Sequence, residues 1–303
     1  MSGEEKITLN LRQQFESICR SWLQSVDMKQ ASVLNDPILQ YLNLKWRLVN
    51  SVSRNVYYSK EFYCPVNLQD GLNQVKEKIE KGEDITPYLS KSIKNVEYND
   101  MMLNDWGIHH LHLGTTTDKK DSFFVNRTGK ILYVKFEKNK AYLIQIMEHN
   151  EWTNDNLIKI IHDNWPDLIA KYKLKGMDID QKFTDKERQK LRNGGTTSPV
   201  KVGDISYFPL GLGYATNKQS NVVIEKKDQI VWNLNKLEKD ITENFRTYYK
   251  EKIRESTDYK GDSFEFELEI RESDNETVIT ETKSNVSFCF GNYRNMLCGE
   301  QDG

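Results

Sequence analysis

The chain has 303 residues, 37% apolar and 29% charged, and its 33 aromatic side chains argue against disorder despite that polarity. No stretch nears the roughly 18 unbroken apolar residues of a spanning helix, and Met1 to Lys6 carries no apolar signal-peptide core, which excludes a membrane protein. Lys and Arg (43) nearly balance Asp and Glu (45), so bulk charge announces no nucleic-acid binder; four scattered cysteines without a CxxC pair suit reduced thiols in the cytoplasm.

Residues 1–84 are predicted to be helical. Leu11, Phe15, Ile18, Trp22 and Val26 recur at spacings of three and four, Pro37 suits a helix start before Ile38, Leu42, Trp46 and Val49, and a third helix spans Leu68 to Lys81, stopped by Gly82. Between 85 and 176 the period changes. Trp106 to Gly114 alternates as a strand, with Ile108, His110 and His112 on one face and Leu111 and Leu113 on the other. Ile131–Phe136 and Ala141–Glu148 are rich in β-branched and aromatic residues and are joined by Glu137–Lys140, which predicts an antiparallel hairpin. Thr153 is the expected N-cap of the helix that follows, and Pro166 should kink or split it.

Residues 177–200 read as a basic helix and linker. Thr184 and Glu187 have capping-box spacing, and the basic residues from Lys182 to Arg192 read as a solvated face. Residues 201–303 form an acidic α+β unit: strand-like pieces near Tyr207 and Val222–Ile224, a helix over Ile230–Arg254, and strands near Phe264–Ile270, Thr277–Thr280 and Val286–Phe290. Gly211 and Gly213 lack a third glycine and a following Lys-Ser/Thr, so they mark a turn or bulge and not a phosphate loop. The expected class is therefore α+β, with a helical N-terminal region, a small central antiparallel sheet module and a C-terminal α+β unit.

Function concentrates in one window. All five histidines lie between His109 and His162, in a segment where 11 basic face 8 acidic side chains from 106 to 175. On a strand, His110 and His112 share a face with Cα atoms roughly 6.5 Å apart. If Phe136 pairs with Ala141, Tyr133 faces Ile144 and Thr128 faces His149, so His149 and Arg127 emerge together at the open end of the hairpin. His109 and His162 read as structural.

Trp106 to His112, Arg127, the strand from Lys130 through Tyr133, the short charged turn and the strand ending in His149 resemble the end of the RelE/YoeB superfamily of toxin ribonucleases. The resemblance covers about residues 100–150, and the polar stretch from Gly114 to Asn126 is an insertion relative to it. It implies a RelE-like fold for the central module and metal-independent RNA cleavage by the 2′-hydroxyl. By position it makes Arg127 the phosphate-binding arginine, His149 the proton-transfer residue and Tyr133 the tyrosine of the first strand. It also implies a toxin-antitoxin or phage-defence setting with a protein partner.

Chemically, the reaction needs a base, an acid and positive charge at the phosphorane. His149 with His110 or His112 supplies the first two and Arg127 the third, aided by Lys130, Lys119 and Lys120, while Trp106, Trp152 and Tyr133 are available to stack on bases. No metal and no cofactor is expected in this reading. Two alternatives stand beside it: a metal-dependent hydrolase using His110, His112 and His149 with Asp105 or Glu148, and a non-enzymatic binding or regulatory protein whose histidines hold a hydrogen-bond network.

Overall fold

The computed structural model describes residues 5–26, 35–149, 153–176, 183–271 and 276–292. The protein is α+β, and the chain divides into two compact units, one of residues 1–42 with 224–303 and the other of residues 43–223. The expected boundaries near residues 84 and 200 both fall inside the second unit.

The first unit opens with β1 (Lys6–Thr8) and α1 (Leu11–Ser25). The Asn10 side chain accepts from the Gln13 N–H and so caps the helix. Its buried stripe is Leu11, Phe15, Cys19 and Leu23, a strict i, i+4 series in which Cys19 and Leu23 take the places expected of Ile18 and Trp22. Trp22 sits half-buried, edge-on to Tyr41 at 4.9 Å. The division between the units falls within α2 (Pro37–Arg47).

The second unit is built on a four-stranded mixed sheet. In chain order come β2 (Asn55–Tyr58), α3 (Gln69–Lys81), α4 (Met101–Trp106), β3 (His109–Leu111), β4 (Lys130–Phe136) and β5 (Lys140–Glu148), with sheet order β2-β5-β4-β3. The sheet is not purely antiparallel, because β2 runs parallel to β5. Gly82 ends α3 in the left-handed region at φ +72°, as its position predicts. The strand expected from Trp106 to Gly114 is mostly something else. Asp100 accepts from the Leu103 N–H and starts a helix that runs through Trp106, and Gly107 closes it at φ +64°, leaving three residues for β3. Ile108, His110, Leu111, His112 and Leu113 are all buried, so the alternation does not separate a wet from a dry face.

The β4–β5 hairpin forms as expected, with one register change. Phe136 pairs with Ala141 and Val134 with Leu143, but Tyr133 pairs with Gln145. A bulge at Ile144 shifts the open half by one residue, so His149 bonds to Gly129, its N–H to that carbonyl at 3.0 Å, and not opposite Thr128. One sheet face packs Ile131, Tyr133 and Ile144 against Leu157, Ile158 and Ile161 of α5 (Asn156–Asn164). Pro166 does split this helix: α5 ends before Trp165 and α6 (Pro166–Ile169) follows. Asp155, and not Thr153, stands at the N-cap. The unit closes with α7 (Asp185–Asn193), its Thr184–Glu187 capping box complete, and the ribbon β6 (Val200–Val202) with β7 (Ile205–Tyr207).

The remaining elements are α8 (Asn221–Glu243), a π-helical turn at Phe245–Tyr249, α9 (Lys250–Ser256), β8 (Ser263–Arg271), β9 (Glu276–Glu281) and β10 (Val286–Asn292). Val222–Ile224 belongs to α8 and not to a strand. In the first unit the sheet order is β1-β8-β9-β10, and the alternating β8 buries Phe264, Phe266 and Leu268 while Glu265, Glu267 and Glu269 face out. Gln14 of α1 zips onto β8, donating to the Phe266 carbonyl at 2.8 Å and accepting from the Leu268 N–H at 2.7 Å. Glu5 pairs with Arg246 and Lys250. No helix among the described residues is long and apolar enough to cross a membrane.

Candidate functional site

The site grows from the ends of three strands in the second unit. β3 pairs with β4 so that His110 lies across from Tyr133. Beyond Leu111 the chain leaves the sheet, and the His112 N–H turns to the Tyr88 carbonyl at 2.8 Å. Thr128 ties the exit down: its N–H donates to His112 Nδ1 at 3.2 Å, and its Oγ1 accepts from the Leu113 N–H at 3.2 Å. His149 arrives one residue past β5. Its ring stacks on His112 at 5.3 Å between centroids, planes 28° apart, and meets His110 edge-on at 6.4 Å.

Arg127 reaches the same place from the other side. The polar insertion that delivers it is pinned, since Lys91 pairs with Asp118 at 2.7 Å, Lys94 pairs with Asp121 at 2.8 Å, and Thr117 bridges Val125. The Arg127 guanidinium donates to the Leu89 carbonyl at 3.3 Å, and its charge bears on both His110 and His112. His110, His112 and His149 therefore lie together, and the charge of Arg127 acts on His110 and His112.

Burial divides the roles. His112 is 1% exposed and His110 7%, whereas His149 is partly exposed and Arg127 is at the surface. Burial, reinforced by Arg127, pulls His112 down to about 2; because its Nδ1 accepts a backbone N–H, the ring is neutral with its proton on Nε2. Burial also lowers His110, against the opposing pull of Asp100, whose Oδ2 lies 3.8 Å from His110 Nδ1. Partial burial lowers Arg127, which stays a cation.

Compared with known family models, curated proteins and solved structures, the chain matches none. The kinship expected from residues 100–150 thus stands on those residues alone.

Several expected partners in the site lie elsewhere. Trp106 and Tyr133 have no exposed ring face to offer a base: both are fully buried, Trp106 beneath the Arg192 guanidinium at 4.4 Å and Tyr133 with its hydroxyl on the Glu148 carbonyl. Lys130 is exposed at the hairpin end and faces Glu148 at 3.6 Å. Trp152 lies outside the described residues. Asp105, weighed as a metal ligand, is fully buried and taken by Arg192, whose Nε and Nη2 both lie 2.9 Å from Oδ2, and by the Thr197 hydroxyl at 2.8 Å. The basic stretch ending at Arg192 is accordingly not a purely solvated face, since Arg188 and Arg192 are each 2% exposed. His162 is structural, its Nδ1 2.7 Å from the Tyr207 hydroxyl, and His109 packs on Phe136. Sequence reasoning missed Thr128 and Asp100; the spacing of Asp100 before Leu103, an N-cap pattern, is the signal that points to the latter.

Proposed function

We propose that the chain is a metal-independent ribonuclease that cleaves RNA through the 2′-hydroxyl, with His149 and Arg127 as the groups that meet the substrate. One observation supports this reading: three imidazoles cluster near the open end of the hairpin, the partly exposed His149 over the buried His110 and His112, with the exposed Arg127 close enough for its charge to act on both.

Arg127 holds a phosphodiester by charge-assisted hydrogen bonds and offsets the negative charge that grows on the phosphorane. Neutral His149 takes the proton from the 2′-hydroxyl as that oxygen attacks phosphorus. The bond from phosphorus to the 5′-oxygen then breaks, and the leaving oxygen takes a proton from the imidazolium so formed or from water. His112, stacked on His149, limits how that ring can turn, and being neutral it adds no competing cation. A toxin- or defence-type role, with a protein partner that covers His149 and Arg127, belongs to the same reading.

The metal alternative has less support. Among the described residues no group of three His, Cys, Asp or Glu side chains is arranged to hold an ion. The non-enzymatic alternative draws on the burial of His110 and His112. A defined single-stranded RNA incubated with the protein in excess chelator separates the three. The proposal expects fragments ending in a 2′,3′-cyclic phosphate and no cut where the nucleotide is 2′-deoxy. Cleavage that needs added metal, or intact RNA throughout, would count against it.

A further inference from the structure

Behind His110 lies a cavity of about 20 Å³ whose walls include Arg47, Tyr98, Asp100, His109 and His110. A space of this size holds one water molecule, which needs two or more polar partners. The partners are there. Asp100 Oδ2 and His110 Nδ1 are 3.8 Å apart, too far for a direct hydrogen bond and within the span that one bridging water covers. Both ring nitrogens of His109 are sealed from solvent and have no hydrogen-bond partner among the described residues. Arg47 is spent elsewhere, on the backbone carbonyls of Asn43, Ser92 and Asn95. The carboxylate is also held in place, because its Oδ1 caps α4 at the Leu103 N–H, 3.0 Å away.

We propose that this cavity holds a water linking Asp100 to His110, and that Asp100 acts through it as a positioning residue for His149. The inference rests on the ribonuclease reading only for its last step. A carboxylate on the Nδ1 side keeps the His110 proton on Nδ1 and leaves Nε2 an acceptor. His112, fixed by Thr128, carries its proton on Nε2. The two rings that flank His149 thus hold opposite tautomers. The charged and titratable groups acting on His110 are Asp100, His149 and Arg127, with His109 and His112 as its strand neighbours.

The test is ring nitrogen NMR on the full chain, with Asp100→Asn as the variant. Asn retains the capping oxygen but presents an NH₂ where Oδ2 accepted. In the wild type His110 is expected as Nδ1–H and His112 as Nε2–H; in Asp100→Asn, His110 moves to Nε2–H and His112 does not change. Cleavage by the variant should lose at least tenfold in kcat with KM unchanged. A wild-type His110 already in the Nε2–H form, a tautomer that ignores the substitution, or a kcat within twofold of wild type overturns the proposal. If the tautomers behave as stated while neither protein cuts RNA, the water link stands and the ribonuclease reading alone falls.

Discussion

Two imidazoles held neutral by burial make the stability of the second unit depend on pH. His109 is pushed down to about 4 and His112 to about 2, from an ordinary value of 6.5. Both shifts are depressions, so below pH 6.5 the unfolded chain binds protons that the folded chain refuses. Their contribution is whole above pH 6.5 and is lost as pH falls below it, toward 4 for His109 and toward 2 for His112. Each group is expected to remove about 2 kcal/mol between pH 7 and pH 5, at roughly 1.4 kcal/mol per pH unit. Urea titrations at the two values measure this, and His109→Leu should remove its own share of about 2 kcal/mol, leaving the part due to His112 and to His110, which burial also lowers; equal stabilities would refute it. Asp105 and Arg192 form a buried ion pair whose loss is also measurable. Both are buried, and Asp105 accepts from Arg192 Nε and from the Thr197 hydroxyl, so Arg192→Met strands a carboxylate and should cost about 3–5 kcal/mol in denaturant unfolding. The sequence shows Arg188 and Arg192 only as part of a charge run. Nothing in local spacing tells that Arg188 and Arg192, four apart on one helix face, turn inward onto a tryptophan more than 80 positions away, because the contact is made by tertiary packing.

Among the elements, the hairpin was the most legible, since composition and a short polar turn name both strands. Its bulge was not: Ile144 is as good a strand residue as its neighbours, and only the three-dimensional fit of β4 on β5 selects where the extra residue goes. The strand predicted at Trp106 to Gly114 shrinks to His109–Leu111 for a different reason. Capping by Asp100 and the left-handed Gly107 override alternation, and alternation is uninformative where both faces are covered. Glycines give an element-scale test. A methyl on Gly71 of α3 would lie 1.9 Å from the Leu113 carbonyl oxygen, just past β3, whereas one on Gly129, at the site end of β4, would meet nothing within 4 Å. Gly71→Ala should therefore cost more than about 2 kcal/mol by forcing helix and strand apart, and Gly129→Ala less than about 0.5 kcal/mol. Equal melting behaviour of the two variants would contradict the packing described.

For the whole molecule, the α+β class and most elements follow from hydrophobic period, while the grouping of elements does not. The first unit draws on both ends of the chain: β1 pairs with β8 across more than 250 positions, and pairings so distant leave no mark in local pattern. The site, by contrast, is made within the second unit from residues 100–149, which is why clustered histidines reveal it. Removing β1 should then raise hydrogen exchange across β8, β9 and β10 without changing the rate of RNA cleavage; a matching loss of cleavage would show that the site depends on the first unit. The most direct measurement of the central claim is the cleavage rate of one RNA, in chelator, by the wild type and by His149→Ala and Arg127→Ala. Metal-free cleavage is expected in the wild type and should fall at least a hundredfold in either variant with the fold intact. Cleavage that survives both substitutions, or that appears only when metal is restored, would contradict it.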